Sequence, residues 1–192
     1  MNALLNKFPT KIRIDNIDYE INSDYRNCLK IILAFEDDEL TVEEQYYIML
    51  SLLYKKMPEN IELAIEKAIL FLNCGKEHEM LESSRTYSFS KDSEYIYSAM
   101  NQTHNIDLES IEYLHWWKFV FLFMDVDKDC TFSYITSLRY KKNNGKLDSY
   151  DKKIWIEMRE IVDLDYSSED EEESKFMKLF NGGDADAQVM EH

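Results

Sequence analysis

Residues 111–124 read Ile-Glu-Tyr-Leu-His-Trp-Trp-Lys-Phe-Val-Phe-Leu-Phe-Met, and they decide the fold of this chain. The run predicts a helix. Successive helical residues lie about 100° apart, so Trp116 and Trp117 cannot both enter one narrow groove. Tyr113, Leu114, Phe119, Val120, Phe121, Leu122 and Phe123 fill most of the other directions. A helix that is apolar nearly all round is buried in a core or covered by a partner. The segment therefore centres a helical fold or carries its binding surface. Leu114, Phe119, Leu122 and Phe123 cannot all be exposed in a soluble monomer, so most of it belongs to a core. The tryptophan pair predicts one buried indole and one more open. Trp116, Trp117 and Phe121 are the candidate partner contacts. His115 and Lys118 interrupt the run, which falls short of the ~18 apolar residues of a membrane span.

Outward from this run the pattern stays helical. Upstream, Asp107 offers a cap for it. Asp92 opens a short helix with Tyr95, Ile96, Ala99 and Met100, after a polar loop over 76–90. Before that loop, a helix repeats Ile61, Leu63, Ala64, Ile65, Ala68, Ile69 and Phe71. Pro58 suits its first turn and Gly75 its end. Thr41-Val-Glu-Glu44 is a capping box for a helix bearing Tyr46, Tyr47, Met49, Leu50 and Leu53. Asn22-Ser23-Asp24 offers a cap for a helix with Cys28, Leu29, Ile32 and Leu33. Lys11 to Ile21 alternates instead, with Asp15-Asn16 at its centre, and reads as a small β-hairpin. Downstream, helices are expected over 131–140 and 148–164, separated by Asn143-Asn144-Gly145. The expected fold is mainly α: one helical domain over 1–166, of about seven helices, with an N-terminal hairpin at 11–21. Residues 167–192 begin with Ser-Ser-Glu-Asp-Glu-Glu-Glu-Ser and read as an acidic disordered tail. Phe176 and Phe180, with Met177 and Leu179, put an apolar patch on that tether, a possible docking motif.

Composition agrees with this organisation. The 192 residues are 45% hydrophobic, enough for a core, and hold only 4 Gly and 2 Pro, too few for a turn-rich β sandwich. Net charge is −16, which repels nucleic acid and anionic lipid and attracts basic partners. Cys28, Cys74 and Cys130 are odd in number and widely spaced, so they predict buried or half-buried thiols in a reducing cytoplasm. Met1 to Pro9 lacks the apolar run of a signal peptide.

Motifs for chemistry fail on inspection. Asp125, Asp127 and Asp129 match the first half of a calcium-binding EF-hand loop. The sixth position, however, is Cys130 where Gly makes the turn, and the twelfth is Thr136 where a bidentate carboxylate is needed. This is read as an acidic interhelix loop and not a metal site. His78, His104, His115 and His192 form no metal-binding spacing, and His115 reads as a hydrogen-bonded core histidine. No phosphate loop, dinucleotide fingerprint or nucleophile elbow occurs. Leu138-Arg139-Tyr140-Lys141-Lys142 is basic, but the dipole of a helix C-terminus accounts for it. No enzyme activity and no cofactor is expected.

Several segments together resemble a phage family. They are Tyr19-Glu-Ile-Asn-Ser-Asp24-Tyr-Arg26, the helix after Pro58 ending at Cys74-Gly75, Asp92-Ser-Glu-Tyr-Ile-Tyr97, and His104-Asn-Ile-Asp107-Leu108. Leu114-His115-Trp116-Trp117-Lys118-Phe119 and Ser137-Leu-Arg139 complete the set. Over roughly Lys11 to Leu164 the chain resembles the "gene product fifteen" family of phages and prophages of Gram-positive bacteria. That resemblance places the gene in the tail morphogenesis cluster, near those of the major tail protein and the tape measure protein. It implies a tail assembly chaperone in the cytoplasm of the bacterial host, binding the tape measure protein. Another tail assembly chaperone or a second copy of this chain is a further partner; nucleic acid and membrane are not. The alternative is a structural tail component kept in the virion or tail-like particle. Asp125 to Asp129 is more acidic than the family loop suggests, and no family motif follows Asp165.

Overall fold

The hairpin and every expected helical segment fall among the residues that the structure, a computed structural model, describes: 2–77 and 85–165. Strands β1 (Lys11–Ile14) and β2 (Ile17–Glu20) pair antiparallel, Ile12 opposite Tyr19 and Ile14 opposite Ile17. Asp15 and Asn16 both have positive φ, 48° and 64°, as a two-residue turn of matching twist requires. Ile12, Ile14 and Tyr19 point inward, so one face of the hairpin is core. A lone hairpin is not stable in water. Here its exit is tied to the chain after the second helix, by Asn22 N donating to Leu53 O at 2.8 Å and Lys55 N to Glu20 O at 3.0 Å.

Eight helices follow among the described residues: α1 (Tyr25–Phe35), α2 (Val42–Leu53), α3 (Ile61–Leu72), α4 (Ser93–His104), α5 (Trp116–Phe123), α6 (Thr131–Asn143), α7 (Ser149–Glu157) and α8 (Arg159–Val162). Local chemistry starts them where the sequence indicates. Asp24 caps α1 by accepting from Arg26 N, and Thr41 and Glu44 form the reciprocal capping box of α2. Asp148 and Asp151 form a second capping box, at α7. Pro58 is not in the first turn of α3. It lies buried ahead of the helix, which Asn60 caps through Leu63 N. The end of α3 is where it was expected: Cys74 and Gly75 turn left-handed, and Gly75 N donates to Leu70 O at 2.8 Å.

Two helices differ from expectation. Asp107 does not cap the aromatic helix, and residues 111–115 are not helical. That stretch is extended against the start of α1, with Tyr25 N donating to Leu114 O and Trp116 N to Ser23 O, both at 2.8 Å. Pairing with another segment satisfies the backbone there, so α5 begins only at Trp116, and the side chain of His115 caps it. The expected helix over 148–164 breaks at Met158, whose φ of −109° and ψ of 22° are not helical. The break turns the carbonyls of Ile161 and Val162 onto buried Arg139.

The described residues fall into two compact units, the boundary lying between Tyr134 and Ile135, within α6. In the first, one core joins the hairpin, α1–α5 and the start of α6, from Ile12 to Phe132. In the second, Ile135, Leu138 and Val162 are buried, Lys141 pairs with Asp151 at 2.9 Å, and Lys142 lies 4.2 Å over the ring of Trp155. No described helix is long and apolar enough to cross a membrane. The acidic run, Phe176 and Phe180 lie outside the described residues, as do His78 and His192.

Candidate partner-binding groove

The Trp-Trp pair is built into the core. Trp116 is 3% and Trp117 6% exposed, so the expectation of one more open indole is overturned. The reason is a shared hydrogen-bonding task. Trp116 Nε1 donates to Leu72 O and Trp117 Nε1 to Phe71 O, each at 2.8 Å. The two indoles thus straddle the last carbonyls of α3, which have no partner within their own helix. The ring of Trp117 also packs against Phe8 and Phe71, both at 5.9 Å between centroids. Phe121 is 38% exposed, its ring edge-on to Phe8 at 5.8 Å. Of the candidate contacts among the described residues, it alone keeps an open surface.

His115 is the core histidine that its neighbours suggest. Nδ1 accepts from Trp117 N at 3.1 Å, which leaves the proton on Nε2 to be donated to Pro9 O at 3.0 Å. One neutral tautomer makes both bonds. Burial holds the imidazole below its ordinary pKa, with the Pro9 carbonyl opposing in part.

Three of the family-like segments, those holding Asp24, Leu108 and Leu114, meet at one place. Asp24 accepts from Leu114 N at 3.2 Å, and Ser23 Oγ lies 2.8 Å from Tyr113 Oη. Arg26 donates to Leu108 O at 2.8 Å and to Ile111 O at 2.6 Å, its guanidinium 4.6 Å over the ring of Tyr25. Asn22–Arg26 and Leu108–Trp116 thereby form a clasp that lays α1 along α5, with Tyr25 stacked on Phe119 at 4.9 Å.

Beside that clasp an open groove of about 420 Å³ runs between α1 and α4. Tyr25 and Leu29 form one wall, Ile96 and Tyr97 the other, and Phe119 the floor. Phe89 closes one end, and Leu108 and Glu109 the other. Both ends are held by carboxylates. Glu36, at the end of α1, accepts from Ser88 Oγ, Phe89 N and Ser90 N at 2.8–3.1 Å and pairs with Arg85 at 2.7 Å. Asp107 accepts from Glu109 N and from Tyr97 Oη, both at 3.0 Å. These bonds hold the Asp107 carboxyl below its usual range and push the Tyr97 phenol up. Such a concavity, mostly apolar with a few fixed polar groups, has the chemistry of a site that receives apolar groups. The sequence reading misses it, because its walls come from three distant segments. Only the i, i+4 pair Leu29 and Leu33, outside the buried stripe of α1, hints at it.

The other candidates have structural explanations. Asp127 Oδ1 accepts from Asp129 N, and Asp127 O accepts from Ser133 Oγ and Cys130 N, so this carboxylate shapes the turn into α6. Arg139, read as one of the cations favoured by a helix C-terminus, is 2% exposed and donates to Val162 O and Ile161 O at 2.8 Å. Cys28 and Cys130 are buried and Cys74 is half-buried; all three are free thiols. Burial raises the pKa of Cys28 and of Cys74, the latter to about 11, so neither is an activated nucleophile.

No curated protein and no solved structure is significantly similar to the chain. A family model does match, described as Bacteriophage Gp15 protein, over residues 4–164. The match runs from the strand-flanking N-terminus through α8 and includes the whole clasp and groove, so the chain belongs to the bacteriophage gene product 15 family.

Proposed function

We propose that this protein is a non-catalytic tail assembly chaperone, which holds helical stretches of the tape measure protein in the host cytoplasm until the tail tube forms around them. The observation that carries the reading is the groove over Phe119 in a member of a phage family. A long helical protein awaiting assembly exposes apolar helix faces, and a holding partner must cover them reversibly. The groove offers half-buried Leu29 and exposed Tyr97 for this, above a floor closed by buried Ile96 and Phe119, while the charge of −16 keeps the complex soluble. The contact role first expected of Trp116 and Trp117 passes to Leu29 and Tyr97, since the indoles are spent on α3.

Co-expression with the tape measure protein tests the reading. The tape measure protein is expected to become soluble and to co-purify with this chain, while mature tails contain none of it. Failure to co-purify or to raise solubility refutes the chaperone role. Stoichiometric copies in purified particles refute it in favour of a structural tail component.

A further inference from the structure

The rim of the groove is electrically two-sided. On α1, Arg26 lines the opening, and Lys30, one turn further along the same edge, is exposed. Leu29 and Leu33 lie between these cations and the floor, Leu33 being 40% exposed. Arg26 is held in place by its two carbonyl acceptors and shares its charge with Asp24 at 3.6 Å, so Lys30 supplies the second positive charge of this wall. The opposite side is acidic. Tyr97 lines it, exposed Glu94 sits one turn earlier on α4, and at the end closed by Leu108 the carboxylate of Asp107, bonded to Tyr97 Oη, and exposed Glu109 carry the negative charge on. A cationic edge and an anionic edge thus face each other across an apolar trough.

We propose that the groove binds an amphipathic helix with one basic and one acidic flank, and that the rim fixes the direction in which that helix lies. This rests on the helix-holding reading given above. A helix with both flanks basic matches the α4 wall and is repelled by the α1 wall; one with both flanks acidic has the reverse problem. A mixed-flank helix satisfies both walls. Turning it end for end exchanges its flanks, so only one direction pairs every charge. Segments with a leucine seam between unlike charged edges are the ordinary currency of long helical assemblies.

The test uses the full chain and synthetic helices of about 21 residues with leucine at heptad a and d positions. One carries Lys on one flank and Glu on the other, the second Lys on both, the third Glu on both. Calorimetry should show the mixed peptide binding about tenfold tighter than either uniform one. A spin label at its N-terminus should broaden the amide signal of Phe89 or of Leu108, not both. In Glu94→Lys/Glu109→Lys, whose sites are exposed and whose fold circular dichroism should find intact, the preference should move to the peptide with Glu on both flanks. Leu33→Asp should weaken all three. Equal binding of the three peptides, no change of preference in the double variant, or broadening at both ends overturns the proposal. Those results leave the chaperone reading standing if the tape measure protein still co-purifies. The expected peptide results without co-purification would instead sink the chaperone reading alone.

Discussion

Gly75→Ala tests the packing of the Trp pair against the end of α3 most directly. Two costs add at this position. Gly75 has a φ of +75°, and a side chain in the left-handed region costs ~1–2 kcal/mol. A Cβ there would also stand 3.1 Å from Cη2 of Trp117, closer than ordinary contact. The indole cannot swing clear freely, because Nε1 is bonded to Phe71 O and the ring lies between Phe8 and Phe71. Mild overpacking of this kind adds ~1 kcal/mol, for a total loss of ~2–3 kcal/mol. Trp117→Phe shortens the ring, removes the clashing atom and leaves the backbone strain. It carries a cost of its own, the indole bond to Phe71 O, worth about 1 kcal/mol, plus a small cavity. Phe71 O keeps Cys74 N as a donor at 3.0 Å, so it is not orphaned. In the double variant the alanine should therefore cost only ~1–2 kcal/mol, the strain term alone. The coupling, about 1 kcal/mol, is readable from urea midpoints followed by far-ultraviolet circular dichroism across the four proteins. Strict additivity, or an alanine penalty that grows in the phenylalanine background, would refute the contact between Gly75 and the indole.

Two further outcomes follow from buried polar groups. His115 is held neutral below its ordinary value of 6.5, so the unfolded chain takes up the proton first. Its contribution is whole well above that value and is lost as pH falls below it, so urea midpoints should drop as pH falls below about 6.5, and His115→Gln should flatten part of the slope. An unchanged slope in that variant would place the titration elsewhere. Arg139→Met should cost ~1–3 kcal/mol, since it leaves the carbonyls of Ile161 and Val162 without the guanidinium that now bonds them. Hydrogen exchange should speed up in α8 before it does in α3; protection in α8 equal to that of the parent chain would show that the capping is dispensable.

What the sequence made legible was local. The Asp15-Asn16 turn, the Asp24 cap, the Thr41–Glu44 capping box and the stop after α3 each depend on a few adjacent residues, and each is present. Misjudged features depend on partners far along the chain. Residues 111–115 have helical spacing, yet the backbone of Ser23 and Tyr25, some ninety positions away, competes for their hydrogen bonds and wins. Arg139 sits near lysines and reads as a cation favoured by a helix C-terminus, yet the break at Met158 brings two carbonyls to it. Glu36 carries no local motif, yet it organises the turn over 88–90.

The same distinction applies to the tryptophans, which are conspicuous in the sequence and buried in the structure. Leu114-His115-Trp116-Trp117 combines several demands in one short stretch: extended pairing with Ser23–Tyr25, the imidazole cap on α5, and two indole bonds to α3. Few residue types meet them together, so the motif is specific as sequence. Its product is placement. Because Tyr25 is pinned beside Leu114, its ring stacks on Phe119; because Arg26 is bonded to the carbonyls of Leu108 and Ile111, that turn closes the groove at one end. The groove, by contrast, needs only apolar walls and charged rims. Leucine, isoleucine, tyrosine and glutamate supply those anywhere, and they leave no signature until α1 and α4 are each packed against α5.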